Sequence, residues 1–202
     1  MYGLPSSTAI NQPLYKKAVF EKFNLKTAER DRFDADISRM ALVTRVSPAT
    51  VPALAEGQEI KGFYVLQVTL KRQDYNAQNI LLLHKLIPQH IIFALQFEEQ
   101  TQLCVFHTRL LQSAWMPTAK ATISLQGLTL DDAWQNIVAT IGDLDTASGA
   151  SIEEQIIYRE QREKLLRQID ALEKRCRTEK QTRKRYELHQ QIIKLKEMLA
   201  NE

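Results

Sequence analysis

Residues 88–108 read PQHIIFALQFEEQTQLCVFHT, and this stretch decides the fold. Segments 91–97 and 103–108 are each rich in β-branched and aromatic residues, the composition of strands. Only Glu98-Glu99-Gln100-Thr101 and Gln102 separate them. A parallel pair needs a crossover of a dozen or more residues, so these strands are expected to form an antiparallel hairpin. Both faces of 91–97 are largely apolar, which places that strand at the centre of a sheet covered on both sides.

Working outward, Pro88 closes a helical stretch over 75–86 in which Ile80, Leu83 and Ile87 recur at spacings of three and four. Residues 63–70 nearly alternate, with Tyr64, Leu66, Val68 and Leu70 on one face and Gln67 and Thr69 on the other. Segment 40–46 is β-rich, and Ser47-Pro48 stops it. Thr27 reads as the N-cap of a helix over 28–39 that carries Phe33 and Ile37 inward. Pro13 reads as the opening of a helix over 14–23. Downstream, 121–125 reads as a further strand. Thr129 and Asp132 then form a capping pattern ahead of Trp134, Ile137, Val138 and Ile141, and Gly142 falls where a helix-ending glycine belongs. The expectation is an α+β body over residues 1–145, with a mostly antiparallel sheet and helices on it.

The composition changes at DLDTASGAS, residues 143–151, where small and polar residues gather. Ser151 and Glu154 make a second capping box, and residues 152–202 contain neither Gly nor Pro. The tail, 146–202, therefore reads as helical. Leu165, Ile169, Leu172 and Cys176 follow spacings of 4, 3 and 4, and so do Leu188, Ile192, Leu195 and Leu199. The two seams are offset by 23 residues, two more than three heptads, so they lie on different faces of one straight helix. Either a long helix passes through a stutter, or the chain folds back near 177–185 and pairs the seams. Both leave the seam residues as helix–helix contacts.

Charge divides the same way. Residues 1–158 carry 14 Lys and Arg against 16 Asp and Glu, whereas 159–202 carry 13 against 8. The overall net charge of +3 hides a basic tail. Its densest run holds Arg177, Lys180, Arg183, Lys184 and Arg185, a candidate contact for DNA, RNA or an acidic protein surface. Hydrophobic residues at 44% and charged residues at 25% exclude wholesale disorder, and no apolar run nears the roughly 20 residues of a membrane helix. Two cysteines, Cys104 and Cys176, make no disulfide framework, so a reduced, cytoplasmic chain is expected.

Catalytic signals are weak. Glu59-Ile60-Lys61 ahead of a strand, with Asp31, Asp34 and Asp36 upstream, resembles part of the PD-(D/E)xK nuclease pattern, in which carboxylates hold a divalent metal. A solvated strand edge accounts for it more simply, because the upstream acids fall in an expected helix and Glu-x-Lys is a common tripeptide. His84, His90, Cys104 and His107 suggest a metal, but Cys104 and His107 are three apart on a strand and point to opposite faces. No phosphate-binding glycine loop or nucleophile elbow is present, and no cofactor is implied. Trp115 and Trp134 read as core or subunit-contact aromatics.

The opening YGLPSSTAINQPLYKKAVFEKF resembles the start of the prokaryotic domain-of-unknown-function family numbered four-three-nine-one. Val46-Ser47-Pro48-Ala49-Thr50, the string IPQHIIFALQFEEQTQLCVF and the segment from Leu125 through Gly127-Leu128-Thr129-Leu130-Asp131 are similar to its later motifs. Glu179-Lys180-Gln181 with Glu187-Leu188 resembles its tail, with Thr182, Arg183 and His189 departing from the pattern. The resemblance supplies no catalytic residue. It implies neighbours among helicases and DNA methyltransferases of restriction-like defence systems. The expected protein is thus a non-catalytic accessory or adapter subunit, partnered by such a subunit or by itself. A metal-dependent nuclease using Glu59 and Lys61 is the alternative.

Overall fold

The structure is a computed structural model that describes residues 2–145 and 150–200. Two compact units divide the chain, Met1–Ser148 and Gly149–Glu202. Residues 146–149 of the small polar stretch at 143–151 lie outside the described residues.

The first unit is built on one seven-stranded sheet. Its path runs β1 (Ala9–Leu14), β2 (Ile37–Val46), β3 (Phe63–Leu70), β4 (His90–Phe97), β5 (Gln100–Phe106) and β6 (Leu110–Gln112), with β7 (Met116–Pro117) also pairing with β5. All neighbours are antiparallel except β3 and β4. These two are parallel, joined by the crossover helix α3 (Ala77–Leu86). The hairpin expected at the centre is present, and it is tighter than the composition suggested. Phe97 pairs with Gln100, leaving Glu98 and Glu99 as the loop.

Three local expectations outside α4 (Leu130–Gly142) are corrected. Pro13 lies inside β1, and the helix after it, α1 (Lys16–Phe23), starts beyond Tyr15. An edge strand tolerates the missing N–H because one side of it has no partner. Next, α2 (Thr27–Asp36) starts at Thr27, with Lys26 as N-cap donating its N–H to the Glu29 carboxylate at 2.9 Å. It ends at Asp36 rather than 39, because Ile37 is already extended and begins β2. Finally, residues 121–125 form no strand. Ala121 and Ile123 are buried, but the Ile123 N–H donates to the Tyr2 carbonyl and no ladder forms.

Helix α4 (Leu130–Gly142) carries the expected capping box. Thr129 accepts from the Asp132 N–H at 3.2 Å, and the Asp132 carboxylate accepts from the Thr129 N–H at 3.0 Å. The left-handed position at its end belongs to Asp143, at φ 51°, and not to Gly142. Gly142 packs closely instead: a Cβ there would lie 3.1 Å from both Leu111 Cδ1 and Leu144 Cγ, so these leucine side chains would have to shift slightly.

Alternation along β3 sets the layers. Leu66, Val68 and Leu70 join Val19 of α1, Phe33 of α2 and Ile80 and Leu83 of α3 in one core. Phe63 faces the other way and packs against Trp134 of α4, ring centroids 5.4 Å apart. Helices therefore cover both faces of the sheet, and β4, whose residues 91–95 are all buried, runs through the middle.

The second unit is a helical hairpin. Helix α5 (Ile152–Thr178) opens with the Ser151–Glu154 capping box, and α6 (Thr182–Ala200) packs back along it. Glu179, Lys180 and Gln181 make the reversal without a glycine or proline. Of the two arrangements open to the sequence, the chain adopts the fold-back.

Candidate functional site

The fold-back pairs the two seams. Ile169 and Ile192 are buried, while Leu165, Leu172, Cys176, Leu188, Leu195 and Leu199 are half-buried between the arms. Glu173 of α5 accepts from Lys196 of α6 at 2.8 Å, and this bond holds the Glu173 carboxyl below the usual carboxylate range. Cys176 donates its thiol to the Arg185 carbonyl at 3.6 Å, close to the reversal.

Chain reversal at 179–181 also gathers the basic run at one place. Arg177 ends the first arm, Lys180 sits in the turn, and Arg183, Lys184 and Arg185 start the second arm, all exposed. Arg183 pairs with Glu187 at 3.2 Å. Below the tip the arms are charge-balanced, through Arg167–Glu163 at 3.5 Å and Lys174–Asp170 at 2.7 Å. The result is a cationic cap on a neutralised stem. Tyr186, 64% exposed, is the aromatic nearest to it in sequence.

The acidic residues singled out for metal chemistry are dispersed. Asp34 pairs with Lys16 at 2.6 Å. Asp36 is fully buried where α2 meets β2. Its carboxylate accepts from Arg72 Nε at 2.7 Å, and from the Asn76 N–H and Asn79 Nδ2 at 2.8 Å each. Those partners tie the end of β3 to the start of α3. Glu59 and Lys61 lie before the opposite end of β3, an eight-residue strand spanning about 25 Å. The fold therefore does not bring Asp36 to the Glu59–Lys61 pair.

Glu59 and Lys61 instead border a cleft of about 340 Å³, shared with Arg45, Ser47, Tyr64 and His90. Lys61 is engaged there, donating to the Gly57 carbonyl at 2.9 Å and pairing with Glu56 at 3.3 Å. Sequence reasoning missed what shapes this loop. Asp131, in the first turn of α4, accepts from the N–H groups of Ile60 at 2.7 Å and Gln58 at 2.6 Å. The Ile60 bond leads in holding the Asp131 carboxyl below its ordinary range. Gly57 admits this approach, since a Cβ there would fall 2.1 Å from Asp131 Oδ1. No local signal could have found it, since Gln58 and Asp131 are 73 residues apart.

The histidines and Cys104 have structural surroundings. His84 stacks on Phe106 at 4.2 Å, and His90 meets Trp134 edge-on at 5.0 Å. Burial lowers both imidazole pKa values. Cys104 is enclosed beside Tyr75, and burial pushes its thiol up to about 12. Tyr75 in turn donates to Gln102 at 2.8 Å and meets Trp115 edge-on. Among the described residues no cluster of three or more His, Cys, Asp or Glu is placed to hold a metal ion. Nor, among those residues, is any helix long and apolar enough to cross a membrane.

Comparison with known proteins gives one family. The family model described as Domain of unknown function (DUF4391) matches residues 2–199. No curated protein and no solved structure matches the chain.

Proposed function

The chain belongs to the DUF4391 family, and from that premise we propose that it is a non-catalytic accessory or adapter subunit of a DNA-directed, restriction-like defence system. The observation that supports this reading is the cationic cap on the hairpin, set on a unit distinct from the α+β body. Function is assigned to the hairpin: its tip contacts nucleic acid or an acidic partner, and its flanks serve protein assembly. The resemblance that associates such proteins with helicases and DNA methyltransferases makes a subunit of that kind the partner to test first. Salt-sensitive binding of the intact chain to nucleic acid or to an acidic surface of such a subunit, reduced when Arg177, Lys180, Arg183, Lys184 and Arg185 are all changed to Gln, is the expected result. Retention of both folding and every contact by that variant removes the tip from the reading.

A second reading, a metal-dependent nuclease, has one observation in its favour: Glu59 and Lys61 border the same cleft as Arg45 and His90. DNA cleavage that requires Mg²⁺ or Mn²⁺ and is lost in Lys61→Ala would replace the accessory role with this one.

A further inference from the structure

We infer that the ligand of the hairpin tip is the phosphate backbone of double-stranded nucleic acid, held without reading the base sequence; this rests on the tip being a contact for an acidic surface. Four features of the hairpin lead there.

First, the cap has charge to offer. Lys180, Lys184 and Arg185 form no ion pair among the described residues, and Arg183 shares its charge with Glu187 alone. Second, the cap lacks what a protein interface needs. Protein hot spots are aromatic or aliphatic anchors in desolvated pockets, and interface cores are depleted of lysine. Residues 177–185 read RTEKQTRKR and contain no apolar side chain larger than a threonine methyl group. A polyanion needs only the charges, because affinity comes from counterions released as each phosphate is neutralised.

Third, the geometry does not suit base reading. Sequence readers lay the exposed side chains of one helix along the major groove. Here the inner face of each arm is taken by the other arm, and the cations ring a chain reversal instead of lining one helix. Fourth, single-strand sites stack successive bases on several aromatic rings in a basic groove. The tip offers one ring, Tyr186, which stands 64% exposed. A duplex presents one phosphate charge per ~1.7 Å of axis, the densest match for cations clustered at one chain reversal.

The test uses the full chain and labelled 30-base-pair duplexes of two unrelated sequences, with a single strand of equal length beside them. Both duplexes are expected to bind within about twofold of each other, and affinity should fall roughly a hundredfold between 50 and 200 mM salt, as three to five phosphate contacts require. Lys184→Gln and Arg185→Gln should each weaken both duplexes equally and reduce the log–log salt slope by about 1. Tyr186→Ala should change duplex affinity by less than twofold. A tenfold preference for one duplex, a tenfold preference for the single strand, or loss of binding in Tyr186→Ala overturns the inference while leaving the tip a contact for acidic surfaces. Absence of any nucleic-acid binding at low salt, with poly-glutamate still held by the same residues, overturns the inference and the nucleic-acid arm of the proposed function together.

Discussion

Asp36 shows no exposed side-chain surface, yet it stands at the junction on which three elements depend. Removing its carboxylate leaves the Asn76 N–H and Asn79 amide without their acceptor, so Asp36→Ala should cost about 3–4 kcal/mol in urea unfolding. Arg72 is over half exposed, and Arg72→Ala should cost about 1 kcal/mol or less. Equal losses for the two would refute the assignment of Asp36 as the organising partner. Nothing local in the sequence identifies this role, since its partners lie 36 to 43 residues onward. An opposite case is Thr44, buried with its hydroxyl unpaired among the described residues. Thr44→Val keeps the shape and removes the unsatisfied group, so it should leave stability unchanged or raise it by about 1 kcal/mol. Titration gives a third expectation at this scale. His84 and His90 have folded pKa values below 6.5 because burial disfavours the imidazolium. The unfolded chain therefore binds more protons as pH falls through 6.5, and stability drops in that window. Asp131, Asp132 and Glu173 have depressed carboxyl values, so their contribution is lost only lower, as pH passes below the usual carboxylate range. Unfolding of His84→Gln with His90→Gln should lose the upper step and keep the lower one.

The hairpin invites a test of elements. Polar substitution of Leu165, Leu172, Leu188 and Leu195 should unfold α5 and α6 together, seen as loss of hydrogen-exchange protection across 152–200. Amides of β3 and β4 should keep theirs, because those strands belong to the other unit. Ile169→Ala alone should cost about 2 kcal/mol. Protection lost equally in the sheet would show that the units do not unfold separately. How far elements were legible depended on whether their signals were local. The β4–β5 pair and α4 were visible because strand composition, loop length and capping box all sit within about twenty residues. The strand β1 was not, since AINQPL has no apolar alternation and its proline suits a helix start as well as a sheet edge. Residues 121–125 misled for the converse reason: Ala121 and Ile123 are buried alternately, as in a strand, but against the core and without a ladder partner. At the tip, the sequence offered the basic run and both seams. The fold-back that groups them depended on α5–α6 packing, a non-local quantity.

At the scale of the whole molecule, the division of charge between body and tail was legible from counting, and the α+β class followed from strand composition. The parallel β3–β4 pair was not foreseen, although a strand, a helix and a strand occur there in order. Its register joins residues 27 apart, such as Phe63 with His90, and no local cue specifies such a pairing. Those separations carry a consequence for how fast the sheet assembles. Pairings β1–β2 and β2–β3 reach across as many as 35 and 33 residues, through Ala9 with Thr44 and Ile37 with Leu70. Only β4 and β5 meet after a two-residue loop, and β4 is also the strand on which β3 must dock. Closing short loops first is entropically cheaper, so this turn is the natural nucleus of the sheet. Glu98 occupies it at φ 51°, a left-handed backbone that costs a residue with a side chain about 1 kcal/mol relative to glycine. Glu98→Gly should therefore speed refolding by up to about fivefold while barely changing the unfolding rate, as a transition state already containing the turn requires. A chevron in which the change falls on the unfolding limb would place the nucleus elsewhere. With the nucleus at this turn, the left-handed backbone of one glutamate sets the pace at which a seven-stranded sheet can begin.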